Sequence, residues 1–149
     1  MKGKESIKIE SIMRKEVYRI GLDATLGEAM TLCLQHRIRH LPVVDSDESL
    51  VGLVTDRDLR AHISHRLGTI MENNADRETL HRRVHMVMVR GLVTVTRETA
   101  VGEAAHLMLQ HHIGCLPVVD DGNHLVGMVT TSDLLNLLAE EHTSQETGP

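Results

Sequence analysis

Apolar and polar positions follow one another in short blocks along this chain. From Leu26 the apolar residues fall at Leu26, Ala29, Met30, Leu32, Cys33 and Leu34 with a mostly polar opposite face, the spacing of an amphipathic helix. Thr25 and Glu28 are placed to form a capping box at its start. The β-branched stretches Val17–Ile20 and Leu92–Val95 predict short strands. Leu41-Pro-Val-Val and Leu50-Val-Gly-Leu-Val-Thr, separated by the polar turn Ser46-Asp-Glu-Ser49, predict a hairpin. Pro42 stands at the entry of its first strand, where a missing donor is tolerated. A further helix is expected after Thr55 and again after Thr130. The latter carries Leu134, Leu135, Leu137 and Leu138, more apolar surface than one buried face requires, so part of it is expected to meet a second chain.

These blocks are two copies of one unit. Residues 9–63 lie on 84–138 at a constant offset of 75 without a gap. Leu41-Pro-Val-Val-Asp45 recurs as Leu116-Pro-Val-Val-Asp120, and Leu50-Val-Gly-Leu-Val-Thr55 as Leu125-Val-Gly-Met-Val-Thr130. The copies differ where Ala100 replaces Thr25, which predicts a weaker cap on the second copy's helix. Each unit, of about 55 residues, is marginal as a domain on its own, so the two are expected to pack together. The expected fold is α/β (α+β), two repeated β-α-β-β-α units. Domains are expected at 7–65 and 84–140, with a connector at 66–83 and a disordered polar tail at 141–149. In the connector Gly68 and Asn73-Asn74 break regular structure, and Leu80 and Val84 have helical spacing.

Composition narrows the possible chemistry. The 149 residues include 16 Lys+Arg and 21 Asp+Glu, a net charge of −5, which excludes a strongly basic nucleic-acid binder. Phe and Trp are absent and Tyr18 is the only aromatic, so stacked single-stranded bases are excluded too, and the core must be aliphatic. Protonating all 11 histidines would carry the charge from −5 to +6, so charge-dependent behaviour is expected to change between about pH 7 and 5. No apolar run approaches the roughly 18 residues of a membrane span, and Met1-Lys-Gly-Lys-Glu-Ser6 lacks a signal peptide's apolar stretch. A cytoplasmic protein is expected. Cys33 and Cys115 form no spaced motif and are read as buried or half-buried free thiols.

The segments Ile38-Arg-His-Leu-Pro-Val-Val-Asp45 with Gly52-Leu-Val-Thr-Asp-Arg-Asp58, and Ile113-Gly-Cys-Leu-Pro-Val-Val-Asp120 with Gly127-Met-Val-Thr-Thr-Ser-Asp133, closely resemble the CBS (cystathionine β-synthase) domain. The resemblance covers about residues 7–140. A tandem pair of this kind is a Bateman module, and the order and spacing are similar to the paired-CBS part of bacterial acetoin-utilisation regulators, without their further C-terminal domain. The resemblance implies two units packed with pseudo-two-fold symmetry and two clefts that take adenosine ligands: AMP, ADP, ATP or S-adenosylmethionine. Each cleft would be closed by the segment ending in Thr55-x-x-Asp58 or Thr130-x-x-Asp133. An Asp carboxylate accepts hydrogen bonds from both ribose hydroxyls, while a Thr hydroxyl and helix N-terminal N–H groups suit phosphate. Gly52 and Gly127 would allow a ligand or a facing chain to approach closely.

By motif position the base is expected against Met13, Glu16, Tyr18, Ile38 and Arg39 in the first copy, and against Met88, Gly91, Val93, Ile113 and Gly114 in the second. Tyr18 would either stack on an adenine or fill that cleft. Arg39-His40 and Arg57 have no basic counterparts in Gly114-Cys115 and Ser132. The resemblance implies that such basic residues reach the phosphates held at the other copy's Asp, so the Asp133 site, supported by Arg39 and His40, is expected to take the more highly charged ligand. Arg57 and Arg60 lie beside Asp58 in sequence, so that site is expected to be able to bind as well.

Other readings are weaker. Taken alone, Thr55-x-x-Asp58 and Thr130-x-x-Asp133 are ordinary N-caps stabilising a helix by about 1 kcal/mol, and the duplication and resemblance are what favour binding. The pairs His36/His40, His81/His85 and His62/His65 lack the third ligand that zinc wants, so no metal is expected. No nucleophile or phosphate-loop motif is present, and Arg82-Arg83 reads as a solvated pair, so no catalytic residue is expected. The expected function is regulatory: adenine-nucleotide binding, with no required cofactor, in a homodimer that signals to a downstream protein. The alternatives are an S-adenosylmethionine sensor or a ligand-free scaffold.

Overall fold

The structure, a computed structural model, describes residues 6–146. The elements are β1 (Ile20–Gly21), α1 (Leu26–His36), β2 (His40–Val44), β3 (Leu50–Thr55), α2 (Asp56–His62), α3 (Asn74–Glu78), α4 (Val101–His111), β4 (Cys115–Val119), β5 (Leu125–Thr130) and α5 (Thr131–Glu146). Two compact units result. A central unit runs Tyr18–Leu92, and a flanking unit combines the chain up to Val17 with that from Val93 onward.

Helix α1 starts as its sequence requires. Glu28 N–H donates to Thr25 Oγ1 at 3.1 Å and Thr25 N–H to Glu28 Oε2 at 3.0 Å, completing the capping box. Ala100 gives α4 no side-chain cap. Thr25→Ala is expected to lower stability by about 1 kcal/mol, and Ala100→Thr, which places Thr three residues before Glu103, to raise it by a similar amount, both read from urea unfolding. Both helices end on a left-handed residue, Arg37 (φ 53°) and its repeat equivalent His112 (φ 54°), and Ile38 and Ile113 N–H then donate back to Cys33 and Met108 carbonyls at 3.1 and 3.0 Å.

In the central unit, β1 pairs parallel with β2 and β2 antiparallel with β3. The flanking unit holds the β4–β5 hairpin, and where a first strand was expected there is a single parallel bridge, Val95 to Val118. Pro42 and Pro117 lie inside β2 and β4 rather than at their entries. Pro117 O accepts from Val95 N–H at 3.1 Å, so the absent proline donor faces that side and the hairpin ladder is intact. The connector contains α3 and one 3-10 turn, Thr79–His81, a second 3-10 turn follows at Val84–Met86, and α5 continues to Glu146. Residues 141–146 are therefore helical rather than a disordered tail, since Glu140 to Glu146 contains no Gly or Pro to stop the helix. Residues 147–149 and 1–5, including most of the stretch read for a signal peptide, lie outside the described residues.

Each unit has its own aliphatic core. The central one is built on Leu26, Leu41, Val43, Val54, Leu59 and Val84, the flanking one on Ile9, Ala104, Leu116, Val118 and Val129, all fully buried. Each large side chain contributes about 1.5–3 kcal/mol of burial. Ile9 belongs to the first repeat but sits in the second repeat's core, and Val84 the reverse. The leading segments of the repeats have exchanged places.

Candidate functional site

The two Thr-x-x-Asp segments fold alike. Thr55 N–H and Oγ1–H both donate to Asp58 Oδ2 at 2.9 Å, and Asp58 N–H donates to Thr55 Oγ1 at 3.1 Å. In the flanking unit Thr130 N–H and Oγ1–H donate to Asp133 Oδ2 at 2.8 and 3.1 Å. Capping thus occupies one carboxylate oxygen in each pair. The second oxygen, Oδ1, takes no part in the cap; in Asp133 it faces Arg14 Nε at 3.8 Å, and in either side chain it is chemically able to accept from a hydroxyl, so a cap and a further acceptor coexist in one side chain. The threonine hydroxyls serve differently from the role the family resemblance implied. Their protons are committed to aspartate, so they orient the carboxylate instead of gripping phosphate. The first helical N–H groups are committed as well, Asp56 to Arg39 O and Thr131 to Gly114 O, each at 3.0 Å.

The exchange of leading segments redistributes the expected lining. Met88 packs on Gly52 in the central unit, its sulfur where a Cβ would stand, and Met13 packs on Gly127 in the flanking unit, its sulfur 2.7 Å from the Cβ position. The chain itself makes the close approach that these glycines permit. Backbone pairing drives the placement: Arg14 N–H donates to Met128 O at 2.9 Å, and Val89 N–H to Leu53 O at 2.8 Å. Met13 therefore accompanies Thr130 and Asp133, and Met88 accompanies Thr55 and Asp58, opposite to the grouping expected from the repeat. Val93, Ile113 and Gly114 are in the flanking unit; Tyr18, Ile38, Arg39, His40 and the exposed Arg57 are in the central one.

In the central unit the strand register gathers several of these groups at one sheet end. His40 pairs with Thr55 across β2 and β3, and Ile20 is opposite Val43, so Tyr18, two residues earlier, is at the same end. Burial holds the His40 imidazole below its ordinary pKa and Arg39 adds to this, while Asp56 opposes it. Stability is therefore expected to fall as pH drops below the unfolded value of about 6.5, because the unfolded chain takes up a proton that the fold resists. His40→Gln should flatten that part of a urea-unfolding profile against pH.

Two residues of the site were missed in the sequence. Arg14 Nε lies 3.8 Å from Asp133 Oδ1. The signal for it is an asymmetry, since Arg14 is replaced by Val89 at the repeat offset. His36, which the sequence offers only as one of a histidine pair without a third metal ligand, stacks its ring on Tyr18 with centroids 3.8 Å apart and planes at 16°. Cys33 and Cys115 are free and buried; burial raises both thiols, Cys115 to about 12. Among the described residues, no helix is long and apolar enough to cross a membrane, and no three His, Cys, Asp or Glu side chains are grouped to hold a metal ion.

Comparison with known proteins agrees with this architecture. The CBS domain family model matches residues 9–65 and 84–140. A CBS domain-containing protein of Dictyostelium discoideum is 42% identical over 132 residues, 87% of this chain and 90% of that protein. The solved structure of a Vibrio cholerae protein assigned to acetoin utilization (AcuB) is 30% identical, with a TM-score of 0.78 over 97% of this chain and 98% of that one. A CBS domain pair solved in complex with 5′-methylthioadenosine and S-adenosyl-L-methionine is 25% identical, with a TM-score of 0.77 over 91% of this chain and 98% of that one. Other relatives include inosine-5′-monophosphate dehydrogenase and homoserine O-acetyltransferase, of whose length the chain spans 23%. With the family matched in both repeats and the Dictyostelium and Vibrio relatives covered nearly end to end, the chain belongs to the CBS domain family, as a tandem pair.

Proposed function

We propose that this protein is a regulatory module that binds an adenosine nucleotide (AMP, ADP or ATP) at Asp58, at Asp133, or at both, and signals occupancy to a partner protein. The observation that carries the reading is the division of labour in each aspartate: Oδ2 is consumed by the cap and Oδ1 is left as an acceptor. The adenosine ligands held by a structural relative support the ligand class, and keep S-adenosylmethionine as the second reading. The protein would act in the cytoplasm without a required cofactor and without catalysis, as a homodimer. For dimerisation the supporting feature is exposed leucine on helices: Leu34 on α1, its repeat equivalent Leu109 on α4, and Leu135 and Leu138 on α5.

The sites are expected to differ in the charge they favour. Arg14 beside Asp133 supports a more highly charged ligand in the flanking unit; Val89 takes Arg14's place in the central unit. Arg14→Ala is expected to weaken ATP binding more than AMP binding, as read by titration calorimetry. The primary test is titration of the whole protein with AMP, ATP and S-adenosylmethionine. Saturable heat with a nucleotide supports the reading, heat with S-adenosylmethionine alone favours the second, and no heat with any of them leaves a scaffold whose aspartates only cap helices.

A further inference from the structure

Tyr18 is the chain's only aromatic residue of the Phe, Trp and Tyr class, and it remains 48% exposed although its ring lies flat on another ring. His36, beneath it, is itself exposed. Two exposed rings in contact contribute little to a core; what such a pair does is fix the tyrosine's orientation. His36 is well placed for that. It is the last residue of α1, which Arg37 closes in the left-handed conformation (φ 53°) and Ile38 N–H seals on Cys33 O at 3.1 Å. A firm helix end thus supports one face of Tyr18, and the residue, 48% exposed, keeps surface open to a planar partner.

The strand order relates this ring to Asp58. Tyr18 precedes β1 and Thr55 ends β3, and the two strands flank β2 on opposite sides at the same sheet end. Two interstrand spacings amount to roughly 10 Å. That matches the length of a purine nucleoside lying with its ribose at the carboxylate and its base toward the tyrosine. In the flanking unit the repeat equivalents are Val93 and His111, which cannot form the same stack.

We propose that His36 is a positioning residue that holds Tyr18 flat, so that the outer face of Tyr18 stacks on the purine of a nucleotide whose ribose is held by Asp58. The proposal rests on the nucleotide-binding reading above and makes the central site the base-selective one of the two. Losing the support would require AMP binding itself to immobilise Tyr18, a cost of about 2- to 10-fold in affinity.

The test uses the full chain carrying Asp133→Asn, to silence the flanking site, with AMP as probe and ribose 5-phosphate as the control lacking a base. Because the chain has one tyrosine and no Phe or Trp, its ring protons are a single coupled pair of doublets, distinguished from the singlets of the 11 histidine rings by their coupling. AMP is expected to move them upfield. His36→Ala should weaken AMP about 2- to 10-fold without affecting ribose 5-phosphate, and His36→Phe, which restores a flat partner, should recover AMP affinity to within about 2-fold. AMP heat without movement of the Tyr18 signals, or equal affinities in His36→Ala and His36→Phe, overturns the proposal and leaves nucleotide binding standing. No AMP heat at all overturns both.

Discussion

Replacing both site aspartates by asparagine, Asp58→Asn with Asp133→Asn, is expected to lower AMP affinity at least 10-fold while changing folding stability by no more than about 1 kcal/mol. The asymmetry follows from the two carboxylate oxygens. Oδ2 accepts from the preceding threonine's N–H and hydroxyl, and an asparagine carbonyl accepts the same bonds. What remains to change is the small interaction of the charge with the helix start, about 0.3–1 kcal/mol, and at Asp133 the weak, exposed ion pair with Arg14. The other oxygen becomes an NH2 group, a donor aimed where the ribose hydroxyls need acceptors. Losing a charged acceptor costs about 1.5–3 kcal/mol, or roughly 10- to 150-fold. The alanine versions lose the aspartate's half of the capping box and the ligand's acceptor together, with stability down by about 1 kcal/mol per site. Calorimetric titration and urea unfolding of the same samples separate the two effects. An asparagine double variant that binds AMP like the wild type would reduce both motifs to helix caps.

Gly127→Ala is expected to destabilise the fold by about 3 kcal/mol, and Gly52→Ala by only about 1 kcal/mol, although the two glycines are repeat equivalents. At Gly127 the added Cβ would lie 2.9 Å from the carbonyl oxygen of Arg14, a backbone atom. That carbonyl cannot retreat, because Arg14 and Met128 exchange two hydrogen bonds, at 2.9 and 3.0 Å. At Gly52 the atoms met all belong to the Met88 side chain, whose thioether can swing aside. Urea unfolding of the two variants measures the difference directly. Equal losses would mean that the Arg14 strand yields as readily as a methionine side chain. Because Arg14 also faces Asp133, Gly127→Ala should disturb ATP binding as well, whereas the segment that packs on Gly52 carries Val89 in place of that arginine.

Much of the fold was legible because it depends on neighbours in sequence. The offset of 75 identified the repeat, the spacing from Leu26 identified α1, and the difference between Thr25 and Ala100 identified which helix has a side-chain cap. The aspartates of the site were legible for the same reason, since Thr55-x-x-Asp58 is closed within four residues. The division of each carboxylate into a capping oxygen and an open one was not, because spacing alone does not say which lone pairs are used. The stack of Tyr18 on His36 escaped for a different reason: the partners come from a strand approach and a helix end 18 residues apart, and periodicity registers only the helix.

By itself the sequence determined the repeated unit, its helices and hairpins, and the pair of Thr-x-x-Asp segments, all set by local spacing and short-range hydrogen bonding. The tertiary structure alone decided which leading segment completes which unit. Ile9 and Met13 differ from Val84 and Met88 by one repeat, so either segment on either hairpin would bury nearly the same apolar pattern. Hydrophobic burial has almost no preference between the two pairings, and the residues that distinguish them, Arg14 against Val89, matter only once a segment is beside an aspartate. In the folded chain Arg14 lies at Asp133 and Val89 pairs with Leu53, and that placement is what makes two equivalent motifs into two different sites.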